Sequence, residues 1–457
     1  MLINLYQSSD RDRRFSEEDL KTHSSQFRRD YARLIHSASF RRMQGKTQIY
    51  PGVASDFFRN RLTHSLEVAQ IAKSMAIMLN DKHNLNIDYD LIETAALCHD
   101  IGHPPFGHNG ELALHHKMRD AGGFEGNAQT LRILSRSEKK LYMGKDLIKN
   151  GVDNRLGLNF TYRTLASILK YDNQIPSYIV SESPYPIKGY YACDNVIVED
   201  IKKHVLSGFD LSTYEGIPFK TIECSIMDLA DDIAYSTYDI EDAFKGGFLD
   251  PVRMVGAEVE ILEKVQKELY RSESLELSIE DIRQILVSIF NGFIDFDVDS
   301  AVIIHQKSKA LAETGYLRTE FTSRLVHQCI SNVHAKINYE CPLLSQIYLE
   351  EELRVHVEVL KVFIFISVIT APTMNIIRYR GRDIISNLFD LLMKSKPDSS
   401  LLPLDIGNLF FSYSPDDRVN KSRIVSDYIS SMTDRHAVEL YARFNSDIPH
   451  GLFKPLI

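Results

Sequence analysis

Apolar positions recur along this 457-residue chain at intervals of three and four, the spacing of a helix face, and seldom alternate as in a half-buried strand. Residues 62–79, LTHSLEVAQIAKSMAIML, place Leu62, Leu66, Ala69, Ala72, Met75, Ala76 and Leu79 on one such face. Residues 91–99, LIETAALCH, predict a short buried helix that Gly102 and the Pro104-Pro105 pair then stop. Another helix is expected from near His108 to a glycine stop at Gly122-Gly123, and another over 226–244, IMDLADDIAYSTYDIEDAF. The C-terminal third alternates helical stretches with breaks such as Lys396-Pro397-Asp398-Ser399-Ser400. Thr47–Tyr50 and Asn195–Val198 read as short strand-like pieces. No repeat, low-complexity tract or strand–helix alternation of the doubly wound kind is present. The expected fold class is all-α, with a core in residues 1–250 and a helical C-terminal region, 251–457, packed on it.

A hydrophobic content of 44% supports a large core. A net charge of −9 gives no general attraction for polyanions, so a phosphate site must rest on a local basic patch or a metal. The most apolar stretch, VFIFISVITAP at 362–372, follows Lys361 and falls well short of the roughly 20 residues of a membrane span. It reads as a buried helix or strand, and no membrane association is expected. The N-terminus is too polar for a signal peptide. Five scattered cysteines, none in a CxxC spacing, argue against a zinc ribbon and for a reduced, cytoplasmic protein.

The chemistry is concentrated in Leu97-Cys98-His99-Asp100-Ile101-Gly102-His103-Pro104-Pro105-Phe106-Gly107-His108. A His-Asp pair alone is weak evidence. Here it ends an apolar helix, where an unpartnered imidazole and carboxylate would be costly. A divalent cation satisfies both, since these donors suit Mn, Fe, Co, Ni or Zn, and Mg where oxygen dominates. His64 and Asp231 complete a two-His, two-Asp set with room for water. Spacing alone leaves open that His64 and Asp231 are surface residues of helices. Asp231, Tyr235 and Asp239 stand at i, i+4 and i+8, a drift of about 40° per step along one helix face. His108 and Glu111, at i and i+3, share the face of a helix start. Arg28, Arg29, Arg33, Arg41, Arg42 and Lys46 form one basic cluster, and Arg378, Arg380 and Arg382 another. Some are expected to oppose a substrate charge, others to be solvated or subunit-contacting.

The order His…His-Asp…Asp resembles the HD superfamily of metal-dependent phosphohydrolases. FRRMQGKTQIYP (40–51), RLTHSLEVAQIA (61–72), LCHDIGHPPFGHNGE (97–111), FEGNAQTLRIL (124–134), LNFTYRTLASILKY (158–171) and DLADDIAYSTYDIEDAF (228–244) look like the bacterial deoxyguanosine triphosphate triphosphohydrolases. The likeness is strong over the first 245 residues and weaker around 373–393. The resemblance implies that His64, His99, Asp100 and Asp231 hold a divalent ion such as Mn or Mg. It implies that His108 and Glu111 are the catalytic pair, with His103 facing the phosphates. It places Tyr235 and Asp239 against the deoxyribose, Gln48 on the sugar, and Arg61, Asn159 and Lys188 near the phosphates. The activity implied is hydrolysis of a dNTP, dGTP foremost, to deoxynucleoside and triphosphate. A broad dNTP hydrolase, or another HD-type nucleotide phosphohydrolase, keeps the same metal set. The family also implies a homo-oligomer, often a hexamer, with a regulatory nucleotide or single-stranded DNA as further partners.

Overall fold

A computed structural model describes residues 3–16, 25–49, 58–149, 151–179, 183, 185–209, 218–369 and 372–445. Helices dominate it, as the periodicity predicts. The His64 helix spans Arg61–His83. It begins at Asn60, whose side chain accepts from Thr63 N while the Thr63 hydroxyl accepts in return, and ends at Asn84 in the left-handed region. The His-Asp helix spans Tyr89–Cys98 and is capped by Asp88, which accepts from Leu91 N. The Asp231 helix spans Ile222–Lys245 behind a Thr221 cap. These three pack together around one apolar core that includes Val68, Ile71, Met75, Leu79, Ile92, Ala96, Ile226, Ala230 and Ile233.

Leu66 does not join that core. It is half exposed, and the buried stripe of its helix runs instead through His64, Val68, Ile71, Met75 and Leu79. Two further cores tie in the C-terminal half. Phe244, at the end of the Asp231 helix, stacks with Phe290 and Phe321. Leu114, Met118 and Phe124 pack against Ile385, Leu388, Phe389, Val425 and Ile429.

The helix expected from His108 runs from His108 to Lys117, and a short 3-10 turn, Arg119–Ala121, carries the chain on to Gly122. Residues 362–369 of the apolar stretch are helical. They close the Glu351–Ile364 helix and continue as a π-helical turn over Phe365–Ile369. Residues 370 and 371 lie outside the described residues. Among the described residues, no helix is long and apolar enough to cross a membrane.

Neither strand-like piece is a strand. Asn195–Val198 opens the Asn195–Leu206 helix, in which Ile197, Val198, Ile201 and Val205 are buried at helical spacing. Thr47 makes only an isolated bridge to Asn60, and Tyr50 lies outside the described residues. Among the described residues the strands are two to four residues long and pair in twos, the longest pair being Val333–Lys336 with Gln346–Leu349.

Candidate metal and catalytic centre

The turn after the His-Asp helix carries the centre, and Gly102 lets it sit where it does. A Cβ on Gly102 would lie 2.2 Å from Gly126 O and 2.3 Å from Thr130 N. Without one, the turn lies directly on the Gly126–Arg132 helix, where Thr130 Oγ1 accepts from Gly102 N (3.1 Å) and donates to His99 O (3.1 Å). The His99 and Asp100 side chains are thereby aimed at the two neighbouring helices.

Donor atoms of His64, His99 and Asp100 lie within 4.8 Å of one another. Asp231 closes the group from the opposite helix, its Oδ1 3.1 Å from His64 Nε2 and 3.4 Å from His99 Nε2. His99 Nδ1 donates to Ala96 O (2.7 Å), which fixes the ring and leaves Nε2 directed at the group, buried and without a hydrogen-bond partner. Burial alone would lower the pKa of His99. The Asp231 carboxylate outweighs it and raises the ring to about 9. Two imidazoles and two carboxylates converge here, the nitrogen and oxygen donor set that divalent cations prefer. The residues therefore fit a metal.

The surroundings are charged and ordered. Arg61, almost wholly buried, bonds Asp100 Oδ2, while His103 Nδ1 lies 2.6 Å from Asp100 Oδ1. Against the cost of burial, Arg61 and His103 hold the Asp100 carboxyl well below its usual range. Burial, with Arg61 beside it, lowers His103 to about 4, so this ring is neutral at physiological pH. Lys170 lies 3.4 Å from Asp231 Oδ2 and also pairs with Asp228.

His108 and Glu111 form a pair. His108 is solvent-facing, and its Nδ1 lies 2.9 Å from the buried Glu111 Oε2. Glu111 Oε1 accepts from Gly126 N (2.8 Å). Burial would raise the Glu111 carboxyl, but the hydrogen bond with His108 outweighs it and holds the group ionised. The carboxylate thus fixes the imidazole and leaves its Nε2 free to carry a proton to or from a reactant. The His103 and His108 rings meet edge to face, 5.2 Å apart, so this pair adjoins the metal group. Lys188 is drawn in by Glu111 and Glu125, with its Nζ 3.3 Å from Glu125 Oε1.

Tyr235 and Asp239 follow Asp231 on the same helix. Asp239 is buried, and its Oδ2 has no hydrogen-bond partner. Burial, with Asp242 nearby, pushes its carboxyl well above the usual range. Gln48 offers a second buried, unpartnered oxygen, Oε1, and its backbone lies beside Gly107 and Arg61.

Asn159 is the expected site residue that the structure does not bring to this group. Its Nδ2 donates to Phe15 O (2.9 Å) and its Oδ1 accepts from Phe15 N (3.2 Å), a two-bond clamp on the N-terminal segment. Its left-handed backbone (φ 49°) suits that role in a turn. The basic cluster before His64 is largely structural as well. Arg28 pairs with Asp90, and Arg33 donates to the carbonyls of Leu158 and Asn159. Sequence reasoning missed Glu125 and Gly126. Glu125 caps the Gly126–Arg132 helix and holds Lys188, and the Gly126 N–H anchors Glu111. The acidic residue before a helix-opening glycine was the available signal.

Comparison with known proteins is consistent with this geometry. The HD domain model matches residues 61–236, and the phosphohydrolase-associated domain model matches residues 347–443. The chain is 46% identical to deoxyguanosinetriphosphate triphosphohydrolase-like protein 2 of Mesorhizobium japonicum, over 99% of this chain and 100% of that protein. It is 34% identical to the deoxyguanosinetriphosphate triphosphohydrolase-like protein of Aliivibrio fischeri (94% and 95% covered). It is 32% identical to that of Vibrio vulnificus (93% and 93%).

Proposed function

Because the chain belongs to the HD-domain family of deoxyguanosinetriphosphate triphosphohydrolase-like proteins, we propose that it hydrolyses deoxynucleoside triphosphates, dGTP foremost, to deoxynucleoside and inorganic triphosphate. The observation that carries this reading is the sequence of groups along the Asp231 helix: a metal-facing carboxylate, then Tyr235, then the buried and unpartnered Asp239 carboxyl. Asp239 suits a sugar hydroxyl and Tyr235 the face of a ring lacking a 2′-hydroxyl. Fixing the sugar there brings the α-phosphate, rather than the γ-phosphate, to the metal group.

A divalent ion held by His64, His99, Asp100 and Asp231 would supply Lewis acidity at that phosphate. The protein's own residues supply the rest. Arg61 and Lys188 offset phosphate charge. His103, kept neutral, turns a hydrogen-bonding ring toward the same place. Water forms the new bond to the α-phosphorus, the bond to the 5′-oxygen breaks, and His108, oriented by Glu111, moves the proton that this exchange requires. The name of the relatives favours dGTP over the other bases.

The test is incubation of the protein with each dNTP and Mn or Mg, with triphosphate as the readout. Triphosphate is expected as the product, with dGTP used fastest, and a loss of roughly 10²–10⁴-fold in kcat for His108→Ala. Equal use of all four dNTPs would favour a broad hydrolase. Release of pyrophosphate or phosphate instead would overturn the reading.

A further inference from the structure

A cavity of about 420 Å³ opens elsewhere, between the Ala121-Gly122 turn, the 132–136 segment, residues 191–200 and the Arg418–Ser430 helix. None of the residues assigned to the metal and catalytic centre lines it.

Its charges do not balance. Arg132, Arg136 and Arg155 share Asp153, Asp194 and Asp427: Arg132 lies 2.8 Å from Asp427 Oδ1, Arg136 2.5 Å from Asp194 Oδ1, and Arg155 2.8 Å from Asp153 Oδ2. These three cations and three anions neutralise one another. Two lining arginines remain outside the set. Arg423 is 5% exposed. Its Nη2 donates to Ala121 O (2.8 Å) and Gly123 O (2.9 Å), and its guanidinium lies over the Tyr191 ring at 3.6 Å. Its Nη1 is buried without a hydrogen-bond partner, and among the described residues no carboxylate lies within ion-pair distance. Arg14 donates to Ser135 O (2.7 Å) and has no ion-paired carboxylate among the described residues either. Burial lowers the pKa of Arg14, and the facing Arg136 lowers it further, more than the nearby Asp194 and Asp153 carboxylates offset. Asp200 is the one other lining acid.

A buried guanidinium whose neighbouring carboxylate, Asp194, is already paired with Arg132 and Arg136 leaves a donor unsatisfied, and an incoming anion relieves the cost. Val152, Val196, Ile197, Tyr413 and Val419 give the wall an apolar face, with Ser177 and Asn420 as further polar lining residues. We propose that this cavity is a second ligand site, separate from the metal centre, for a small phosphate monoester with an apolar or aromatic body, its phosphate held between Arg423 and Arg14. Arginine suits the role because its fork donates to two oxygens of one phosphate.

Cys193 provides the readout. It lines the cavity and is exposed, whereas Cys98, Cys224, Cys329 and Cys341 are buried. The rate at which iodoacetamide alkylates Cys193 in the full chain, followed by peptide mass spectrometry, reports occupancy. Phenyl phosphate is expected to slow it several-fold, inorganic phosphate less, and phenol not at all. Arg14→Gln, at a half-buried position, and Val196→Glu, at an exposed one, are expected to abolish the protection while leaving triphosphate release unchanged. Absence of protection by phenyl phosphate would overturn the proposal. So would equal protection by phenol, or protection that survives both substitutions.

Discussion

Asp239 shows how one side chain can be costly to the fold and suited to the proposed substrate site. Its carboxyl is buried with one oxygen unpartnered, and burial together with Asp242 raises its pKa well above the usual range. In the unfolded chain the group ionises near pH ~3.9. The folded state keeps the proton to higher pH, so the stability linked to that proton is complete below ~3.9 and is lost as pH rises toward the raised value. Asp239→Asn keeps the shape and removes the titration. The variant is expected to match the wild type in stability at pH 4 and to gain on it as pH rises to 7, measured by urea denaturation. Its activity should move the other way, with a higher KM for dNTP, because an amide can never ionise to give the sugar hydroxyl a charged acceptor. Loss of both stability and activity at pH 7 would show instead that the ionised carboxylate is part of the fold.

At the scale of elements, the turn after the His-Asp helix depends on a close approach. Gly102→Ala would drive a Cβ into Gly126 O and Thr130 N, both backbone atoms of the neighbouring helix that cannot swing aside. The expected cost is about 1–3 kcal/mol by denaturant unfolding. A parallel drop in metal affinity is expected, since Thr130 holds both Gly102 N and His99 O. Unchanged affinity for Mn by titration calorimetry would mean that the turn is not what aims His99. Much of this was legible in the sequence, because the centre is built from contiguous words on helices whose caps are local. Asn60, Asp88 and Thr221 each stand just before the apolar run that they cap. What was not legible depended on which face a helix turns inward. Val196, Ile197 and Val198 are β-branched and suggest a strand, yet Ile201 and Val205 extend their spacing into a helix that packing favours. Leu66 is apolar but stands off the buried stripe. Asn159 sits in a motif-rich stretch, and only the position of Phe15, far off in sequence, shows what its side chain does.

At the scale of the molecule, Ser430 and Asp434 in the C-terminal part hold the loops of the proposed catalytic centre in place. Asp434 Oδ2 accepts from Thr47 N (2.9 Å), and its Oδ1 accepts from Phe106 N (2.9 Å), so one C-terminal carboxylate fixes the chain beside Gln48 and the loop between His103 and His108. Lys46 makes the complementary tie, its Nζ donating to His103 O (2.7 Å) and Ser430 O (2.8 Å). Lys46 is buried, and burial, reinforced by Arg61, lowers its pKa to about 7. An unfolded lysine keeps its proton to ~10.4. Between these values the unfolded chain holds a proton that the folded chain has released, so folding stability rises with pH, by at most about 1.4 kcal/mol per unit. A neutral amine still donates to both carbonyls, so the tie survives the loss of charge. Lys46→Met removes both the hydrogen bonds and the titration. It is expected to be less stable than the wild type at pH 7, with the gap widening by pH 9, and to have lower kcat because the His103 loop is released. A gap that stays constant between the two pH values would show that Lys46 remains charged in the fold, and the C-terminal tie would then be ionic.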